Sequence, residues 1–84
     1  MRSEFQTIFD RLSDFTVAIT GSSLRNYDEA KDIDVLFPAS MNFRKLADEL
    51  GIPYRGGFDT AKGRIHSLHW RIEGINKQIN LTHL

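Results

Sequence analysis

Phe15-Thr16-Val17-Ala18-Ile19-Thr20-Gly21-Ser22-Ser23 and Asp32-Ile33-Asp34-Val35-Leu36-Phe37 are the stretches whose reading decides the fold. The first is rich in β-branched and aromatic residues and predicts a strand over Phe15–Thr20, with Phe15, Val17 and Ile19 on one face, ending at Gly21. The second predicts a strand over Asp32–Phe37, stopped by Pro38, which has no N–H to give to a ladder. Its two-residue period puts Ile33, Val35 and Phe37 on one face and Asp32, Asp34 and Leu36 on the other.

Working outward, Ser3-Glu4-Phe5-Gln6 reads as a capping box, with Ser3 accepting from the Gln6 amide. Phe5, Ile8, Phe9 and Leu12 follow as one apolar stripe of a short helix, closed by Ser13 and Asp14. A second helix is expected from Ser40 or Asn42 to Leu50, burying Phe43, Leu46, Ala47 and Leu50. Gly51 suits its C-terminal cap, and Pro53 prevents continuation. Tyr54–Gly63, with Gly56-Gly57, reads as a loop. Arg64–Glu73 and Lys77–Leu84 read as a hairpin about a turn at Gly74-Ile75-Asn76. The order helix, strand, strand, helix, strand, strand implies one small α+β domain over residues 1–84, two helices packing on one face of a mixed β-sheet.

A chain of 84 residues buries only about 60–65% of its unfolded surface, so association with a protein partner or a second copy is compatible with its size. Eleven basic and eleven acidic side chains cancel, which disfavours nucleic-acid binding by bulk charge. With no cysteines, disulfides, thiolate zinc sites and cysteine nucleophiles are excluded. The apolar runs are too short to span a bilayer, and Met1-Arg2-Ser3-Glu4 does not open a signal-peptide core. A soluble, cytoplasmic chain without membrane partners is expected.

Asp32 and Asp34 share a strand face between apolar neighbours, where two like charges repel more strongly as water is removed. A divalent cation resolves the conflict, because Mg²⁺ takes oxygen ligands and is commonly held by one or two carboxylates plus substrate phosphates. Gly21-Ser22-Ser23 ends the preceding strand. There glycine admits close approach of a ligand to the backbone, and hydroxyls and amides can bind phosphate oxygens.

Gly21-Ser22, nine intervening residues and Asp32-Ile33-Asp34 together resemble the G-S…D-x-D signature of the DNA polymerase β-like nucleotidyltransferase superfamily, and the short chain is similar to its minimal members, some of which are antitoxin partners of HEPN toxins. The resemblance implies Mg²⁺-dependent transfer of a nucleoside monophosphate from a nucleoside triphosphate to a protein or small-molecule hydroxyl, with one or two metal ions. It assigns phosphate contact to Gly21 and Ser22, with Ser23 beside them, and metal ligation to Asp32 and Asp34. The family usually adds a third carboxylate from a later strand. Here Ile79-Asn80-Leu81 takes that place, and an amide can ligate a cation but cannot accept a proton from the attacking hydroxyl. General-base assistance is worth about 10²–10⁴-fold, so turnover is expected to be weak or absent. The rival expectation is a degenerate module of the same fold acting by protein binding, as a phage or toxin–antitoxin regulator would.

The remaining polar residues read more plainly. Arg25, Lys31, Arg55, Lys62 and Arg64 could each reach phosphates or an acidic partner, though scattered surface charge is the usual explanation; Lys62 and Arg55 are favoured because their glycine-rich segment could cover a ligand. Glu73, beside the turn, reads as solvated. His66 and His69 fall on opposite strand faces and are not a chelating pair. Tyr54 and Trp70 could stack on a base, but a small domain needs its large aromatics inside, and Trp70 is expected in the core. No histidine lies near Ser22 or Ser23 in sequence to support a nucleophilic serine.

Overall fold

A computed structural model describes the backbone of residues 2–38, 40–54, 57–60 and 63–83, with side chains for all of these but 57–60, 63–66 and 83. Helix α1 spans Ser3–Arg11 and begins one residue earlier than the capping box implies. Arg2 is the cap residue, and its carbonyl already accepts from the Gln6 amide at 3.0 Å, so Ser3 Oγ donates to Glu4 Oε1 instead. Phe5, Ile8 and Leu12 of the predicted stripe are buried, and Phe9 is half-buried.

Strand β1 is shorter than expected, Ala18–Thr20 in place of Phe15–Thr20. The chain leaves α1 through a turn in which the Phe15 amide donates to the Leu12 carbonyl at 2.9 Å, so those residues are spent before the ladder begins. Phe15, Val17 and Ile19 nevertheless pack against the core. A single helical turn, α2, covers Ser22–Arg25 and was anticipated only as the turn after Gly21. Strand β2 occupies Asp32–Phe37, the predicted bounds.

Helix α3 runs over Phe43–Leu50. Asn42 Oδ1 accepts from the Lys45 amide at 3.2 Å, satisfying one of the orphan donors of the first turn. Gly51, at φ 69°, takes the left-handed conformation that closes the other end. Part of the stretch read as a loop is a strand: β3, Gly57–Thr60, pairs antiparallel with β4, Gly63–Trp70. Strand β4 stops at Trp70 because the chain folds inward there, burying Ile72 and Ile75 and joining the Ile75 amide to the Ile72 carbonyl at 3.1 Å. Strand β5 is Gln78–His83.

The five strands form one sheet in the order β1-β2-β5-β4-β3. Neighbours are antiparallel except the central pair, β2 and β5, which run parallel with Asp34 opposite Asn80. Ile33, Val35, Phe37, Ile79 and Leu81 point to one face and are 0–2% exposed. They pack with Phe5, Ile8 and Leu12 of the α1 side and Phe43, Leu46 and Ala47 of α3, so both longer helices cover the same face, and Trp70 joins them as expected. Among the described residues the architecture is thus a small α+β domain with a mixed sheet and three helices. Among the described residues no helix is long and apolar enough to cross a membrane.

Candidate functional site

The corner between β1 and α2 is shaped around one carboxylate. Thr20 pairs with Asp34 across the ladder, so the chain leaving β1 turns directly over the Asp34 side chain. Gly21 sits there at φ 83°, ψ −162°, a conformation open in practice only to glycine. A Cβ added at Gly21 would collide with Asp34 Oδ2 and stand 3.3 Å from Cγ. The backbone can therefore approach this carboxylate only where no side chain intervenes. Helix α2 starts from the corner, with the Leu24 amide on the Gly21 carbonyl at 3.2 Å and the Asn26 amide on the Ser22 carbonyl at 2.8 Å.

A cavity of about 490 Å³ opens beside this corner. Asp32 and Asp34 line it together with Ser22, and so do Arg25 and Lys31. Arg25 and Lys31 are exposed, as surface charge would be, and both stand at the rim of the same cavity as the carboxylate pair. The two basic residues lie between the Gly-Ser and Asp-x-Asp halves, on a connection whose ends the β1–β2 pairing brings together. Asn26 and Glu29 also reach the cavity and were not singled out by the sequence.

Asn80 stands beside Asp34 on the adjacent strand, at the position where the resemblance expects a third acid. Its Nδ2 donates to Asp34 Oδ1 at 3.3 Å, and its own Oδ1 accepts from Gln78 Nε2 at 3.0 Å. An ionised carboxylate only accepts, so Asp34 dictates which end of the Asn80 amide faces it, and through Asn80 it dictates the sense of Gln78. Gln78 was not anticipated. Its place follows from the parallel register, which sets it opposite Asp32.

Other predicted positions fall elsewhere. Ser23 is 1% exposed and does not line the cavity, which corrects its assignment to phosphate contact. Its Oγ is buried without a hydrogen-bond partner. Lys62 and Arg55 lie outside the described residues, as do the side chains of Arg64 and His66. His69 is exposed opposite Asn80, and Glu73 is exposed in the turn after β4. Tyr54 is half-buried, with the Arg44 guanidinium 5.0 Å above its ring.

The wall of the cavity is anchored at Tyr27. Its ring meets Phe5 edge-on at 5.7 Å, with the cations of Arg2 and Lys77 4.2 and 4.7 Å from its centroid. Lys77 Nζ also donates to the Ala30 carbonyl at 2.5 Å. Burial raises the Tyr27 phenol above its usual value near 10, and the neighbouring Glu4 carboxylate, to which it is hydrogen-bonded, adds to the shift.

The donor set matches Mg²⁺ better than a soft metal. Hard oxygen ligands, Asp32 and Asp34, line the cavity, and Asp34 Oδ2 is packed against the Gly21 backbone in the space a side chain would take. Among the described residues no group of three or more histidines or acids is disposed to hold an ion. A cation here would need oxygens from its ligand. No protein-family model matches the chain, and neither a curated protein nor a solved structure matches it.

Proposed function

We propose that the chain is a nucleotidyltransferase-type domain that binds a nucleoside triphosphate with Mg²⁺ and moves its nucleoside monophosphate to a protein or small-molecule hydroxyl, at a rate limited by Asn80. The single observation behind this reading is the corner where Gly21, with no side chain, lies against the Asp34 carboxylate at the rim of a cavity also lined by Asp32, Ser22, Arg25 and Lys31. Two carboxylates and two cations around one cavity suit a polyphosphate whose charge is shared between a metal ion and basic side chains. Asp32 and Asp34 would hold the metal, which supplies charge neutralisation at the phosphates. Ser22 would donate to a phosphate oxygen, with Arg25 and Lys31 as counter-charges.

Calorimetric titration with ATP and GTP, with and without Mg²⁺, tests the proposal. The expected result is metal-dependent binding that disappears when Asp32→Ala and Asp34→Ala are combined. Absence of binding by either nucleotide under any condition overturns it.

One observation favours a second reading, a module of this fold that acts by binding a protein. Asn80 donates an N–H to Asp34, where a base would have to accept a proton. The two readings part at Asn80→Asp. Turnover that appears only in this variant indicates a transferase site short of its base. Tight nucleotide binding without product in either form supports the binding module.

A further inference from the structure

We propose that the outer edge of β1 is a self-association surface, on which a second copy of this chain adds its own β1 antiparallel and joins the two five-stranded sheets into one. Strand β1 ends the sheet order, and among the described residues nothing pairs with its outer side. An open edge presents N–H and C=O groups that another strand can satisfy, and proteins usually blunt one with lysine, proline, an inward charge or a bulge. Phe15–Thr20 carries no charge, no proline and no glycine, and four of its six residues are β-branched, which favours a strand partner. The ladder to β2 covers only Ala18–Thr20. Exposure nevertheless alternates residue by residue from Phe15 to Thr20, so the period of a strand reaches back ahead of that ladder.

The occupant is a second copy because the edge is complementary to itself. With Ala18 on a two-fold axis, Ala18 meets its own counterpart, Val17 meets Ile19, and Thr16 meets Thr20. Exposed threonines then pair on the open face of the sheet, and half-buried aliphatic residues pair on the helix face. The same register sets Gly21 of one copy opposite Phe15 of the other. Leu24, three residues on, is the one large apolar side chain exposed among the described residues, at 60%. Asp14, Phe15, Phe37 and Met41 are among the residues lining a cavity of about 360 Å³ at the Phe15 end of the edge. The two-fold carries each copy's Leu24 toward the other's cavity, the reciprocal contact that an isologous interface requires. Two strand edges and two leucines stand at the low end of specific interfaces, roughly 1,200 Å² or less in total, so the dimer is reversible, with Kd on the order of 10–100 µM.

Sedimentation equilibrium from about 5 µM to about 1 mM reads mass against concentration, and the expected course runs from one chain to two. Ala18→Lys sets two like charges directly opposite each other and should weaken association by about fivefold or more. Leu24→Ser should weaken it by about tenfold or more, because each dimer covers that side chain twice. Thermal melts check that both variants are folded. The chain has no cysteine, so a single introduced thiol reports the register. Under copper–phenanthroline oxidation Ala18→Cys should cross-link to itself. Thr16→Cys should not, because its two copies stand four residues apart along the ladder, about 13 Å and beyond disulfide reach.

A chain that remains monomeric to about 1 mM overturns the proposal. So does undiminished association in folded Ala18→Lys, or equal cross-linking at the two thiol positions. Should Ala18→Lys unfold, the cross-linking pair decides alone. Growth beyond two chains also overturns it, since β1 would then be meeting the opposite edge, β3, head to tail.

Discussion

The two faces of the central β2–β5 pair share one backbone ladder and carry opposite chemistry. Toward the helices, Ile33, Val35, Phe37, Ile79 and Leu81 are closed off from water. Toward the open side, Asp32, Asp34, Gln78, Asn80 and Thr82 are all half-buried. Parallel strands are normally covered on both faces and read as continuous apolar runs. Here the alternation is kept in the middle of the sheet, so the covered side specifies the fold and the uncovered side is left to polar groups that hydrogen-bond one another. Half-burial strengthens their mutual electrostatics relative to water, while the groups stay within reach of a ligand.

The comparison breaks first at Phe37, whose ring meets Phe15 and Phe43 edge-on at 6.0 and 5.3 Å. Phe37→Ala should destabilise the domain by about 3–5 kcal/mol in urea denaturation. A loss below about 1 kcal/mol would mean that the covered face does not hold the sheet together. Next comes Gly21→Ala, where strain at positive φ costs about 1–3 kcal/mol. The new Cβ also displaces Asp34, so nucleotide affinity measured by calorimetry should fall along with the melting temperature. On the open face, Asp34→Asn should shift stability by no more than about 0.5 kcal/mol, because its partners are half-exposed. It should still abolish Mg²⁺-dependent nucleotide binding, and a large stability loss would place Asp34 with the structural face.

The smallest effect is a pH slope. The folded state holds the Tyr27 phenol above its ordinary value near 10, through burial first and Glu4 second. A raised value means the folded chain retains the proton longer than the unfolded one. The contribution is therefore fully present below pH 10 and is lost as pH rises through the folded value. Denaturation curves collected from about pH 9 to 11 should fall less steeply in Tyr27→Phe than in the unaltered chain.

Much of this was legible in the sequence because local signals agreed with the tertiary outcome. Strand β2 appeared with its predicted bounds, since the Asp-Ile-Asp-Val-Leu-Phe alternation and Pro38 mark both face and end. Helix α3 was nearly as plain: Gly51 marked its end, and of the two starts expected, Ser40 or Asn42, the fold takes Asn42 as the cap. The β2–β5 register sets Asn80 opposite Asp34. What sequence missed depends on contacts distant along the chain. Ser3 lost its capping role because the Arg2 carbonyl took its donor, and β1 lost three residues to the turn after α1. Strand β3 lies in a stretch whose glycines and charges suggested a loop, yet pairing with β4 outweighs that weak propensity. Ser23 shared its neighbours' chemistry but faces inward, and the one-turn helix that buries it is too short to show a period. Gln78 reaches the site through a parallel register, which has no local signature.

The anchoring of Tyr27 has a consequence for anyone handling this protein. Its ring is gripped by Phe5 of the first helix, by Arg2 at that helix's cap and by Lys77 just ahead of the last strand. The segment between β1 and β2 is therefore tied to the chain's opening residues, far from it in sequence. Removal of the first five residues should loosen that segment and lower the melting temperature.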